Sequence, residues 1–159
     1  MIKVQIIALG KLKEKYLENA VLEYQKRLSR YCKLEILELE PIRLPEKPSQ
    51  AEIDSALLKE AEMIKKKIPQ NNDVFTLCVE GKPLSSEKFA ENIALSQNSG
   101  KNLTFIIGSS YGLCESVKAL SKLRLSFSQM TFPHQLFRVI LLEQIYRAFK
   151  INEGSAYHK

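Results

Sequence analysis

A chain of 159 residues, 45% hydrophobic and 26% charged, has the length and composition of one ordinary globular core, and no apolar run in it approaches a membrane span. Its net charge of +6 is uneven: residues 1–30 carry seven Lys/Arg against three Glu, residues 31–117 ten against thirteen acids, and residues 118–159 seven against two. Basic ends that meet in space would suit an anionic polymer such as nucleic acid; a well-solvated surface is the plainer reading of the same charges.

Ile2–Leu9 follows Met1 without a basic leader or cleavage site, so it reads as a core strand and a cytoplasmic protein is expected. Cys32, Cys78 and Cys114 are odd in number and lack CxxC spacing, which argues against a disulfide framework and against a bound metal. Leu12, Tyr16, Leu17, Ala20, Val21, Tyr24, Leu28 and Tyr31 recur at spacings of three and four, the stripe of an amphipathic helix. Leu34–Leu39 is a second strand. The prolines between Pro41 and Pro48 forbid regular structure, and a helix is expected from about Gln50 to Ile68. Val74–Val79 is a third strand and Gly81-Lys82-Pro83 a turn. Ser85 or Ser86 then caps a helix running to about Ser96, which Asn98 to Lys101 ends.

Leu103–Ile107 is a fourth strand, apolar on both faces, followed by a glycine turn, a short helix from about Cys114 to Leu120 and a fifth strand near Leu123–Phe127. A last helix runs from Pro133 to about Lys150. Five βα units predict a single α/β domain, a mostly parallel sheet of five to six strands with helices on both faces and ligands beyond the carboxyl ends of the strands. The last helix is apolar around most of its circumference, from Leu136 and Phe137 through Leu141, Leu142 and Ile145 to Phe149. It is therefore either central to the domain or shared with a second subunit, and its place near the C-terminus of a small chain favours an interface.

Three strand ends are the informative places: Val79-Glu80-Gly81-Lys82, Gly108-Ser109-Ser110-Tyr111-Gly112, and the loop from Ser126 to Pro133. The GxxxG turn allows close approach of backbone to a ligand, but it has neither GxGxxG nor GK[ST] spacing, which disfavours phosphate cradling; its glycines also have the simpler use of permitting positive φ. Both histidines, His134 and His158, lie beside polar loops near the C-terminus, and Arg138 sits one turn beyond His134. Glu143 and Arg147 read as a local i,i+4 salt bridge.

These residues carry a resemblance. Ala8-Leu9-Gly10-Lys11-Leu12-Lys13, Ile106-Ile107-Gly108 with Gly112-Leu113, Leu125-Ser126-Phe127-Ser128 to Thr131-Phe132-Pro133-His134-Gln135, Arg138-Val139, Glu143 to Ala148, and Tyr157-His158 stand in the order of the RlmH-type (YbeA-like) SPOUT methyltransferases. The resemblance implies a homodimer with a C-terminal trefoil knot that binds S-adenosyl-L-methionine. Its implied reaction is methylation of N3 of pseudouridine 1915, in helix 69 of 23S rRNA within the assembled 70S ribosome, with no membrane and no metal involved. It also implies cofactor contacts at Leu77, Gly108, Phe127, Ser128, Gln129, Met130, Thr131 and Phe132, and catalytic roles for Arg138, Tyr157, His158 and Lys159. Two positions depart from the family pattern: Ser109 stands where a second glycine is usual, and Lys159 where some relatives have arginine.

Loss of the imide proton during attack calls for a base or for cations that stabilise the anion, so His158 is the base candidate and Lys159 a holder of negative charge, on an arm able to reach a neighbouring subunit. A non-catalytic ribosome- or RNA-binding protein would account for the basic ends but not for the glycine turn. A metal-dependent hydrolase would need ligand spacing that neither histidine has.

Overall fold

The structure, a computed structural model, describes residues 1–158. Its elements are β1 (Ile2–Leu9), α1 (Lys15–Leu28), β2 (Cys32–Leu39), α2 (Gln50–Lys65), β3 (Asn72–Pro83), α3 (Ser86–Asn98), β4 (Asn102–Ile107), α4 (Glu115–Lys118), β5 (Leu123–Ser126) and α5 (His134–Asn152), with a 3-10 turn over Ala156–His158. The strands pair in parallel in the order β2-β1-β4-β3-β5. Successive side chains on a strand point to opposite faces, so Ile6 and Phe105 look to one side and Ile7 and Ile106 to the other. On the first side Val21 and Leu28 of α1, Phe89 and Ile93 of α3 and Leu141, Leu142 and Ile145 of α5 complete the core. Ala61 and Ile64 of α2 and Val117 of α4 cover the second. The inner strands β1 and β4 are therefore apolar on both faces, as a covered parallel sheet requires.

Local chemistry sets the helix starts. Ser49 Oγ accepts from Glu52 N at 3.1 Å while Ser49 N donates to Glu52 Oε1 at 3.1 Å, a reciprocal capping box that starts α2 just after the proline loop. Of the two candidate serines before α3 it is Ser85 that caps, accepting from Lys88 N at 3.1 Å.

One expectation changes. Gly81-Lys82-Pro83 is not a turn: β3 continues to Pro83, leaving the ladder after Leu77 and rejoining β5 with Lys82 opposite Leu125 and Pro83 opposite Ser126. A Cβ on Gly81 would lie 2.7 Å from the Leu125 carbonyl carbon, so a residue without a side chain is what lets the strand return so close to β5. Much of the apolar circumference of α5 is covered inside the chain. Phe149 stacks on Tyr31 at 5.7 Å, Tyr146 meets Tyr24 and Tyr31 edge-on, and Asn152 donates to Ala90 O, so α1 and α3 flank α5 while the sheet covers its inner face. Leu136, in its first turn, is left exposed.

Candidate active site

The excursion of β3, the turn after β4 and the loop after β5 meet at the carboxyl edge of the sheet and enclose a cleft of about 470 Å3. Leu77, Ile107, Leu113, Leu125, Phe127 and Phe132 make its walls largely apolar. Phe127 and Phe137 lie 5.2 Å apart and Phe132 and Phe137 6.3 Å, so the wall is an extension of the aromatic core. The residues of β3 that leave the ladder, Cys78, Val79 and Glu80, form the rim. There Glu80 pairs with Lys118, and that ammonium holds the Glu80 carboxyl below the ordinary carboxylate range.

The turn Gly108 to Gly112 closes on itself through the Gly112 N to Ser109 O bond of 2.9 Å, with Gly112 at φ +86. A Cβ on Gly108 would lie 2.4 Å from Gly112 O and 2.9 Å from Leu113 Cγ, which the folded turn cannot admit. Ser109 fits where a second glycine is usual, because its φ is not positive; its hydroxyl donates to Glu60 Oε1 at 3.0 Å. Glu60, 4% exposed, also accepts from Ile42 N at 3.0 Å. The departure from the family pattern thus ties the turn to α2 and to the loop after β2.

The loop after β5 is held by its own polar groups: Ser126 Oγ donates to Ser128 O at 3.1 Å and Met130 N donates to Ser128 Oγ at 3.0 Å. Leu77, Gly108, Phe127, Ser128, Met130, Thr131 and Phe132 all line the cleft. Gln129, named with them from sequence, is exposed and outside the lining. His134 lies at the rim, and partial desolvation lowers its pKa below the ordinary imidazole value.

The expected catalytic residues lie elsewhere. Arg138 is 3% exposed; its NH1 pairs with Glu38 at 2.5 Å and its NH2 donates to Gly10 O at 3.1 Å, fastening α5 to the ends of β1 and β2. It lines a neighbouring cleft and not this one. Tyr157 packs edge-on against Tyr146 at 5.1 Å, lies beneath the Arg147 guanidinium at 4.8 Å and donates to Glu143 at 3.3 Å. Glu143–Arg147 is the i,i+4 pair expected, at 2.7 Å, and it also carries the tail. His158 Nε2 is 2.7 Å from Glu87 Oε1 and its Nδ1 3.4 Å from Arg147 NH1. Neither Tyr157 nor His158 lines the cleft of its own chain, and Lys159 lies outside the described residues. Lys118, which lines the cleft at its rim, had no signal in the sequence, since only the fold brings α4 to Glu80.

The family described as "Predicted SPOUT methyltransferase" matches residues 2–158. Two proteins named ribosomal RNA large subunit methyltransferase H are similar along their whole length: that of Clostridioides difficile is 49% identical over 98% of this chain and 99% of its own, and that of Streptococcus suis 48% over 99% of each. A relative from Methanococcus vannielii, which bears the same name provisionally, is 55% identical over 98% of this chain and 99% of its own. The chain belongs to the RlmH branch of the SPOUT methyltransferases, the S-adenosylmethionine-dependent family whose knotted α/β fold the sequence resemblance implied.

Proposed function

We propose that the protein methylates large-subunit rRNA, at N3 of the helix 69 pseudouridine in the assembled ribosome, as a homodimer whose sites are completed in trans. One observation carries the reading: the residues expected to hold the cofactor, apart from Gln129, come from three separate strand ends to line a single cleft. The names of the relatives supply the class of acceptor.

The cleft fits S-adenosylmethionine in size and in kind, because apolar walls suit an adenine ring while Ser126, Ser128, Thr131 and the Glu80–Lys118 pair at the rim offer polar partners. When bound, that cofactor supplies the methyl group. Gly108, by having no side chain, keeps its turn tight along one wall, and Phe127, Phe132 and Leu113 exclude water. The acceptor imide must lose a proton, and His158 of the other subunit is the proposed base, with Lys159 offsetting negative charge. Docked on its own subunit, His158 has both ring nitrogens engaged, by Glu87 and by Arg147. Release from that pair frees a lone pair for the proton.

Incubation with labelled S-adenosylmethionine and free rRNA, isolated subunits or assembled ribosomes, followed by mapping of the modified base, tests the reading. Label confined to one pseudouridine of helix 69 in assembled ribosomes is expected. Label on another base, or none on any RNA, overturns it.

A further inference from the structure

Beside the donor cleft lies a second one, of about 520 Å3, formed by the ends of β1 and β2, the loop after β2, α2 and the start of α5. Ser109, Ser110 and His134 line both clefts, so the two share a ridge. Lys11, Lys13 and Arg43 line the second cleft, are exposed, and form no ion pair among the described residues. Of the two acids in its lining, Glu60 is buried and held by Ile42 N and Ser109 Oγ, so the exposed charges are Glu40 against three cations.

Arg138 adds an independent observation. It is 97% buried in this lining, and although NH1 and NH2 are engaged, its Nε is buried without any hydrogen-bond partner. Buried donors without acceptors are rare and destabilising, and this one belongs to a residue of the cleft lining. Tyr111, on the glycine turn, lines the same cleft at 47% exposure, a free aromatic face beside the cations. Cations that track a backbone and an aromatic platform for a base are the requirements of single-stranded nucleic acid.

We infer that the second cleft, through Lys11, Lys13, Arg43 and Tyr111, binds the sugar-phosphate backbone and a stacked base of the RNA strand next to the target nucleotide. The target base then crosses the ridge of Ser109, Ser110 and His134 into the donor cleft. The choice of RNA as ligand rests on the rRNA reading above, but the binding measurement does not depend on methyl transfer.

The test uses the full chain and a fluorescent single-stranded oligoribonucleotide titrated over a salt series. The triple variant Lys11→Gln, Lys13→Gln, Arg43→Gln is compared with a control that removes equal charge from exposed positions elsewhere, Lys26→Gln, Arg30→Gln, Lys33→Gln. Three lost phosphate contacts, at about 0.7 each for a single strand, lower the slope of log K against log salt by about 2, and affinity at low salt falls roughly tenfold or more. The control retains most of both, and calorimetry finds S-adenosylmethionine affinity unchanged in either triple variant. Tyr111→Ala weakens binding without altering the salt slope, because stacking displaces no counterions. Equal losses in the two triple variants, an unchanged salt slope in the first, or no binding by the unaltered chain at low salt overturns the assignment. Binding through this cleft with no methyl transfer to ribosomes sinks the rRNA reading and leaves the cleft standing; normal binding by the first triple variant does the reverse.

Discussion

Gly108 is the position where one atom decides most. Because a Cβ there meets backbone at 2.4 Å, even Gly108→Ala must push the turn apart, so it damages the cleft without any bulky group entering it. It should cost about 1–3 kcal/mol of stability, typical of overpacking, and weaken S-adenosylmethionine binding roughly tenfold, which calorimetry and thermal melts would read. An alanine variant with normal affinity would place the cofactor elsewhere. Cys78 reports on the same cleft, with the core thiol Cys32 as a buried reference. Burial pushes the Cys32 thiol up to about 12, and Cys78, on the cleft rim, is also raised by desolvation. At pH 8 Cys32 should resist alkylation in the folded protein, and mass spectrometry should find Cys78 modified more slowly once S-adenosylmethionine is added. A Cys78 rate indifferent to the cofactor would contradict the assigned cleft.

Among the elements, β3 does the most to make the site, since its departure from and return to β5 leaves Cys78, Val79 and Glu80 free to form a rim. Its other end is anchored by Asp73, which accepts from Ser96 Oγ at 2.6 Å and Lys122 Nζ at 2.8 Å. Desolvation would raise the Asp73 pKa, but the Lys122 ammonium and Ser96 hydroxyl outweigh it and hold it below the ordinary value. A depressed carboxylate stabilises the fold fully above its unfolded pKa of about 3.9 and loses that contribution as pH falls through the lower folded value. Asp73→Asn should therefore flatten the acid limb of stability below about pH 4, measured as the urea midpoint against pH. The same slope in both proteins would mean that the pair contributes nothing there.

At the scale of the molecule the tail is what a second subunit would share, because its docking on α5 and Glu87 keeps it off the cleft of its own chain. Deleting Tyr157–Lys159 removes an edge-on aromatic contact and a cation–π contact, so a loss of about 1 kcal/mol in stability is expected. Cofactor affinity should stay near normal while methyl transfer collapses. Gly108→Arg, which puts a long charged side chain where the cofactor should lie, should abolish cofactor binding. Mixing tail-deleted chains with Gly108→Arg chains puts an intact tail beside an intact cleft in each heterodimer, so activity should partly return. Light scattering that finds only monomers, or heterodimers without activity, would defeat completion in trans.

The alternation of strands and helices, the buried character of β1 and β4 and the serine caps follow from local patterns, because side-chain period and capping geometry act within a few residues. The cofactor residues follow from family resemblance, the base candidate from residue type, and the three strand ends from the rule that ligands gather at carboxyl edges. What sequence could not contain was distance. Gly81-Lys82-Pro83 looks like a turn until Leu125 lies beside it, Arg138 looks free beside His134 until Glu38 and Gly10 close over it, and only the fold shows how much of the apolar surface of α5 is covered by α1 and α3. Each of those outcomes depends on residues tens of positions away, which only the packed chain brings into contact.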